Sequence, residues 1–461
     1  MDLSYLQPEA GRHASWKSVR TPLSRPREQR RGLRLWPVGP VLVLAFAAAI
    51  LVAASAFYAG WDLLGARGLK PEHRLDSSTL FDLVKLSFGF VAGAGALVAL
   101  VVAYRRQRVD EDGALRDATR LHTERFTTAV SQLGSDSAAV QLGGVHALAG
   151  LADDAPTRAL RQTCIDVLCA FLRLPYTAET DLPANDATAR HDYLSLREVR
   201  HTVIRLIRDH LRLKREHAHS WQGHDFDFTD VTFDGGDFSG AVFSGGTANF
   251  NTAEFSGGFV DFDSATFSSG AVTFHSATFS GSTVNFNSAK FSGGAVTFNS
   301  AEFSGGAVTF YAAKFSGGAV DFHATAFSGA TVDFDSAEFS GSTVVFAARF
   351  SDGVIDFSAA RFSGGMVTFH SVEFSGATVD FFSAAFPGGS VVFTRAKFSG
   401  GAVTFHSARF SGATVTFSEA TFSGATVDFT GASGTTPAGL SSLLPLPPDV
   451  TLSSAWYPPG P

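Results

Sequence analysis

Phenylalanine recurs through the second half of the chain at intervals that alternate between seven and five residues. The stretch FSGGAVTFNSAEFSGGAVTFYAAKFSGG, residues 291–318, shows the alternation, and a 12-residue unit, V-x-F-x-x-A-x-F-S-G-x-x, repeats with few errors from Phe250 to Phe429. In one unit the interval from Phe346 to Phe350 is four residues instead of five. In extended V-x-F and A-x-F segments alternate side chains point to opposite sides, so the apolar residues share one side.

Tight corners must connect these short segments, because Gly-rich and Ser-rich links separate them. A chain that turns every few residues and repeats its inward residues in register coils upon itself, each coil stacking on the last. The pattern therefore predicts a β-solenoid whose core consists of columns of stacked Phe, with Val and Ala alongside.

The solenoid region begins with four Phe residues spaced by five, Phe228, Phe233, Phe238 and Phe243, in the block DFTDVTFDGGDFSGAVFSG. This block resembles pentapeptide-repeat proteins, whose pattern has a central Leu or Phe preceded two positions earlier by a small residue. The resemblance covers residues 226–430 and implies a right-handed, four-sided β-helix with four pentapeptides in each coil. The layout of the whole chain resembles membrane-anchored pentapeptide-repeat proteins of actinomycetes.

A two-residue insertion in every second unit departs from the family pattern and changes the expected coil. If four sides are kept, the intervals of seven, five, seven and five residues give a coil of 24 residues, with two corners bulged at the Gly-rich inserts. A 12-residue coil is the alternative. We disfavour it because two Phe, one Val and one Ala facing inward would overpack a two-sided coil.

Two long apolar runs near the N-terminus are typical of transmembrane helices. Residues 37–59 carry no charge over 23 residues, enough to cross a hydrocarbon core of about 30 Å. Residues 83–104 form the second run, in which the only charge is Lys85, close enough to the end of the run to snorkel. The sequence predicts a two-helix transmembrane hairpin over residues 37–104.

Basic residues flank both runs and predict the orientation of the hairpin. Residues 1–36, a basic tail, contain eight Lys or Arg, and Arg105, Arg106 and Arg108 follow the second run, whereas the connector has three basic and four acidic residues. We therefore expect a multi-pass cell-membrane protein with both termini in the cytoplasm. A cleaved signal peptide, with ASA at residues 54–56 as its cleavage site, is the alternative, but the first run is longer than a signal-peptide core.

Residues 105–222 lack long apolar runs and show a helical period instead. In the last segment the apolar residues recur at three- and four-residue spacing, typical of one buried stripe, at Leu196, Val199, Val203, Leu206, Ile207 and Leu211. We expect a small all-α adaptor domain with paired, HEAT-like helices.

Cysteine and histidine give little sign of metal chemistry. Cys164 and Cys169 lie five residues apart on one expected helix, where their side chains diverge and cannot form a good disulfide. The adaptor histidines have no further ligand at metal-binding spacing, although His217 and His219 form a close pair. In the repeats, His275, His323 and His370 share a face on alternate coils, about 9.6 Å apart, too far for one metal ion. We expect no metal, no cofactor and no catalytic residue.

Outward positions determine what a solenoid can bind, because inward positions only pack. The residue between Val and Phe, sorted by the 24-residue period, gives one face rich in aspartate, comprising Asp261, Asp333, Asp356, Asp380 and Asp428 among Asn and Thr. Aspartates stacked about 4.8 Å apart repel one another and need screening or a partner. The simpler interpretation, which we favour from the sequence, is a solubilising charged face; the sharper hypothesis is that these aspartates form a docking stripe for a basic partner.

The net charge of −7 is concentrated in the repeats, since residues 226–430 hold 18 acidic and 7 basic side chains. We expect a non-catalytic, membrane-tethered scaffold that uses the solenoid for protein–protein interaction, with an unknown, basic protein partner, no direct nucleic-acid binding and a homo-oligomer as a further expectation. The resemblance implies an alternative, because some pentapeptide-repeat proteins mimic duplex DNA and bind DNA gyrase. Residues 431–461 are Pro-rich and form either a cap over the Phe columns or a tail.

Overall fold

The computed structural model describes residues 38–63, 76–183, 186–440 and 446–457, which belong to two compact units, residues 1–113 and 114–461. The predicted basic tail, residues 1–36, lies outside the described residues. The helices are α1 (Val38–Leu63), α2 (Ser77–Leu133), α3 (Ala138–Asp153), α4 (Arg158–Leu172) and α5 (Ala187–Arg212).

Helix α2 is continuous over 57 residues, so the second apolar run and the first amphipathic segment of the adaptor are parts of one helix. Among the described residues it is the helix with a stretch long and apolar enough to cross a membrane, beginning at Leu80. Helix α1 contains a shorter apolar segment, Phe46–Ala59. The two helices approach through small residues, since Ala49 of α1 and Gly93 of α2 line a common cavity.

Helices α3, α4 and α5 share an apolar core made by one stripe of each helix. Leu148 of α3, Ile165 and Leu168 of α4, and Val203 and Ile207 of α5 are fully buried in it. The caps follow from the sequence, because Thr157 accepts the Leu160 N–H before α4 and Asp186 accepts two N–H groups before α5. The helical segment is thus a packed domain, continuous with the solenoid core.

The second half of the chain is a parallel β-solenoid, in which the described residues form 28 short strands. In chain order they are β1 (Phe226–Asp227), β2 (Thr232–Phe233), β3 (Gly236–Asp237), β4 (Val242–Asn249), β5 (Glu254–Phe255), β6 (Phe259–Asp261), β7 (Thr266–Thr273), β8 (Thr278–Phe279), β9 (Thr283–Asn285), β10 (Lys290–Thr297), β11 (Glu302–Phe303), β12 (Ala307–Thr309), β13 (Lys314–Asp321), β14 (Ala326–Asp333), β15 (Glu338–Phe339), β16 (Thr343–Val345), β17 (Arg349–Asp356), β18 (Arg361–Phe362), β19 (Met366–Thr368), β20 (Glu373–Asp380), β21 (Ser390–Val392), β22 (Lys397–Thr404), β23 (Arg409–Phe410), β24 (Thr414–Thr416), β25 (Thr421–Phe422), β26 (Thr426–Asp428), β27 (Ser433–Gly434) and β28 (Val450–Thr451).

The strand register confirms the 24-residue coil, because β10 pairs with β13 so that Lys290 lies beside Lys314 and Phe291 beside Phe315. Two coils are shorter than 24 residues, as the Phe intervals predict. The first coil, with its run of five-residue intervals, is shorter, since Phe226 pairs with Ala248. The coil with the four-residue interval is one residue short, since Ala326 pairs with Arg349.

Four columns of stacked Phe fill the solenoid core. We number them by members of one coil: column 1 contains Phe298, column 2 Phe303, column 3 Phe310 and column 4 Phe315. Within column 1, Phe298 and Phe322 stack with ring centroids 4.7 Å apart and planes 3° apart. Columns 1 and 3 meet edge to face, as Phe298 and Phe310 do at 6.2 Å. Both arrangements suit the charge distribution of aromatic rings.

From Phe250 onward, each five-residue corner contains one residue with positive φ, two positions after its first Phe and immediately before a buried small residue that is usually Ala. Ser300 has φ of +58° and Ser336 also +58°, a conformation that L-residues adopt at some cost. In the short interval between Phe346 and Phe350 no residue has positive φ. The missing residue is therefore the strained one, which explains how a deletion leaves the Phe columns in register.

The two ends of the solenoid are covered by the rest of the chain. At the first coil, Gly236 lets α5 approach, since a Cβ there would lie 2.9 Å from Cδ1 of Ile204. At the last coil, β28 pairs with β26, and Trp456 contacts Phe410 and Phe429 edge-on or tilted, each at 5.6 Å. Both contacts shield apolar rings that an open end would expose to water.

Candidate functional site

The predicted aspartates lie on one continuous ladder along the solenoid. Asp333, Asp356 and Asp380 are direct neighbours on consecutive coils, whereas Asn285 and Thr309 separate Asp261 from Asp333, and Thr404 separates Asp380 from Asp428. We call this the acidic ladder. Its first position is Asp237, which pairs with Asp261 and was not part of the predicted stripe.

Each aspartate of the ladder has one carboxylate oxygen committed to the fold. The Oδ1 atom accepts the backbone N–H two residues further on, at 2.7 Å from Asp335 to Asp333, from Ser358 to Asp356 and from Phe382 to Asp380. Asp261 and Asp428 do the same at 2.9 and 2.7 Å. This Asx-type bond stabilises the corner, so the abundance of Asp here has a structural cause.

Burial and neighbouring carboxylates raise the pKa of two aspartates of the acidic ladder. Burial raises the pKa of Asp333 and Asp380 above the ordinary value, and the negative charge of Asp356 between them adds to both shifts. Among the described residues no cation forms an ion pair with Asp333, Asp356 or Asp380, although His406 lies 3.8 Å from Asp428 and acts to lower the pKa of Asp380.

At the first position of the ladder, Arg208 of the same chain supplies a cation to Asp237. Asp237 accepts the Ser239 N–H at 2.8 Å through Oδ1, while its Oδ2 forms an ion pair with Nη1 of Arg208 from α5. A ladder aspartate can therefore hold its corner and bind a guanidinium at the same time.

The corner that follows the ladder, between columns 3 and 4, carries exposed aromatic residues. Tyr311 and Phe382 are each 46% exposed at equivalent positions, and Phe382 stacks on His406 with centroids 5.7 Å apart. We call this the acidic corner. Asp335 and Ser358 occupy the equivalent positions on the two coils between them, so Tyr311 and Phe382 are separate exposed aromatic side chains on an otherwise polar corner.

A second ladder, mostly basic, lies on the far side of the acidic corner. It contains Lys290, Lys314, Glu338, Arg361, Ala385 and Arg409 on consecutive coils. Lys314 pairs with Glu338 at 3.7 Å. Arg361 and Arg409 are exposed and form no ion pair with any described residue.

The corner between columns 1 and 2 carries His275, His323 and His370, so we call it the histidine corner. Asn299 occupies the same position on the coil between those of His275 and His323. The Ser276 N–H donates to the carbonyl oxygen of Asn299, and the Ser300 N–H donates to that of His323. The described residues contain no group of three or more His, Cys, Asp or Glu that could hold a metal ion.

A buried polar cluster that the sequence prediction missed joins the helices to the first coil. Asp234 is 5% exposed, and its Oδ2 accepts hydrogen bonds from the hydroxyls of Tyr176 at 2.5 Å and Tyr193 at 2.7 Å. Nε of Arg197 and Nε2 of His201 each lie 3.6 Å from its carboxylate oxygens. The Asp234 carboxylate is thus enclosed by four polar groups from the helical segment.

These neighbours keep Asp234 ionised. Burial by itself would raise the pKa of this carboxyl, but His201, Tyr176 and Tyr193 stabilise the carboxylate and lower its pKa to about 2. One signal in the sequence was available: the other coils have Ser directly after the Phe equivalent to Phe233, whereas the first coil has Asp234, in FDGG. The cluster joins the helical segment to the first coil, and among the described residues Nε of Arg197 and Nε2 of His201 are buried there without a hydrogen-bond partner.

Comparisons with family models, with curated proteins and with solved structures found no match to this chain. What the acidic corner and the Asp234 cluster can do therefore has to be argued from their own geometry.

Proposed function

We propose that this protein is a non-catalytic, membrane-tethered scaffold that binds a protein partner through the acidic corner of its solenoid. The ion pair between Asp237 and Arg208 carries the proposal, because it shows a ladder aspartate binding an arginine without giving up its bond to the corner. Asp333, Asp356 and Asp380 offer the same outer oxygen to an arginine or lysine of a partner. Tyr311 and Phe382 add apolar contact area beside them.

The membrane part of the proposal uses both apolar helices. We propose that α1 and the first part of α2 cross the membrane as a hairpin and that both termini are cytoplasmic. The support is the apolar stretch of α2, the shorter one of α1 and the basic residues of the flanking segments. A reporter active only outside the cytoplasm, fused after Pro461, should give no signal, and a strong signal would reverse the orientation.

We further propose that the solenoid is a right-handed, four-sided β-helix of the pentapeptide-repeat type, enlarged by the two-residue inserts. The four Phe columns and the 24-residue register support this architecture. For the adaptor we propose a HEAT-like pairing of α3 with α4, which pack against each other.

Site-specific photocrosslinking tests the docking surface in native membranes. A photoreactive phenylalanine analogue would replace Phe382, and a matched variant would carry it at His370 on the histidine corner. We expect discrete protein adducts from position 382 and not from position 370, and their loss when Asp356 and Asp380 are both changed to Asn. Equal adduct patterns at the two positions would contradict the proposed docking surface.

The alternative function is that the protein mimics duplex DNA and binds DNA gyrase or another basic protein that handles nucleic acid. The geometry supports this alternative less well. Arg361, Arg409 and the Lys314–Glu338 pair stack across the same corner, so its surface alternates in sign. Inhibition of gyrase supercoiling by the purified chain would favour the mimic, and unaltered supercoiling would dispose of it.

A further inference from the structure

A cavity of about 250 Å³ lies beside the Asp234 cluster, where the helical segment covers the first two coils. Helix α5 contributes Tyr193 and Arg197 to its lining, the two coils contribute Asp234 and Ser256, and the segment between α4 and α5 contributes Glu179. The volume is that of about eight water molecules, which is enough for a small organic molecule. None of these residues belongs to the acidic corner, so the cavity is a separate site.

Two side chains that line the cavity have hydrogen-bonding capacity that the described chain leaves unused. Nε of Arg197 is buried without a hydrogen-bond partner, and Oδ2 of Asp234 lies 3.6 Å away, beyond hydrogen-bonding distance. The Arg197 side chain is still 36% exposed, so part of it is open to a ligand. Oγ of Ser256 is likewise buried without a partner. Unpaired donors of this kind destabilise the empty site, most of all on a charged group.

The charges around the cavity leave one positive charge in excess, without counting histidine. Arg200 donates to two backbone carbonyl oxygens and lies over an aromatic ring at 4.1 Å, so its hydrogen bonds bring no negative charge. Glu179 is paired with Arg190 at 3.3 Å. The guanidinium groups of Arg197 and Arg200 therefore have only the carboxylate of Asp234 between them. A ligand with a single negative charge would balance the site.

We propose that this cavity binds a small organic monocarboxylate. Its planar carboxylate group pairs with the guanidinium of Arg197 and accepts a hydrogen bond from Ser256. Its carbon atoms pack against the ring of Tyr193 and the methyl group of Ala178, which also line the cavity. Asp234 borders the same space, and its negative charge disfavours ligands with more than one negative charge, such as phosphate.

Thermal unfolding of the full chain in mild detergent tests the site with sodium propionate as the probe. At neutral pH and constant ionic strength, propionate should raise the melting temperature more than chloride or phosphate does, because binding to the folded chain alone stabilises it. Arg197→Gln should abolish this shift. Arg205→Gln is the matched control on the exposed side of α5, where Arg205 pairs with Glu198 at 3.6 Å, and it should keep the shift.

Ligand-observed NMR gives a second readout that does not depend on the stability of the variants. Saturation transfer from the folded chain to the propionate protons should be present in the wild type, and Arg197→Gln should weaken binding at least about tenfold. Ser256→Ala keeps every charge of the site and should weaken binding less.

Three outcomes would overturn the proposal. They are no propionate binding to the wild type, equal binding by the wild type and Arg197→Gln, and a phosphate shift as large as that of propionate. Each would leave the docking function of the acidic corner intact, because the two sites share no residue.

Discussion

At the scale of single residues, the glycines of the Gly-rich inserts have separable roles. Gly258 has φ of +67°, and a Cβ there would lie 2.1 Å from the carbonyl oxygen of Asp234, whereas a Cβ on Gly257 would meet no atom within 4 Å. Gly258→Ala should lower the free energy of unfolding by at least about 2 kcal/mol. Gly257→Ala should change it by less than about 0.5 kcal/mol. Urea unfolding followed by circular dichroism compares the two, and equal losses would contradict the packing described for this corner.

The Asp234 cluster gives a pH dependence with a defined sign. The pKa of this carboxyl is about 2 in the folded chain and 3.8 when unperturbed, so its contribution is present above the unperturbed value and is lost as pH falls towards 2. The shift corresponds to about 2 kcal/mol of stability at neutral pH. Asp234→Asn should lower the melting temperature at pH 7 and flatten its decline between pH 4 and pH 2. Glu216→Gln, an exposed control, should leave both unchanged, and an unaltered acid decline in Asp234→Asn would count against the cluster.

At the scale of elements, the C-terminal segment acts on the solenoid through Trp456. Its ring contacts Phe410 and Phe429, and its Nε1 donates to the carbonyl oxygen of Gly434 at 3.0 Å. Trp456→Ala should destabilise the last coil by about 1–2 kcal/mol, because it uncovers the ends of two Phe columns. Tyr457→Ala, at a side chain that is 50% exposed, serves as the control. Hydrogen exchange of β23 and β26 should rise in the first variant only; equal protection in both would show that the segment is no cap.

The sequence was most informative about elements whose residues repeat in register. The Phe intervals predicted the stacked columns and the 24-residue coil, and the same period predicted which aspartates become neighbours. It could not predict the Asp234 cluster, because Tyr176 and Tyr193 reach that carboxyl from 58 and 41 residues away without any periodic signal. Nor did it reveal why the ladder prefers Asp, since the bond to the second N–H depends on the local corner geometry.

At the scale of the whole molecule, we propose that a membrane-tethered solenoid uses one of its four corners, the acidic corner, for protein contact. The histidine corner, which contains His370, has the same backbone turn. Its arginines Arg349 and Arg395, however, form ion pairs with glutamates of the same chain. Comparing the two corners therefore separates a specific contact from the general crowding of a membrane surface.

Thiol accessibility in native membranes tests this claim most directly. Single cysteines at Phe382→Cys and His370→Cys would be labelled with a maleimide in membranes and after dilution into detergent. Burial raises the pKa of Cys164 to about 11 and also raises that of Cys169, so neither native thiol should contribute to the labelling. We predict slow labelling at position 382 in membranes, fast labelling at position 370, and equal rates after dilution. Equal rates at both positions in native membranes would contradict the central claim that the acidic corner is an occupied protein interface.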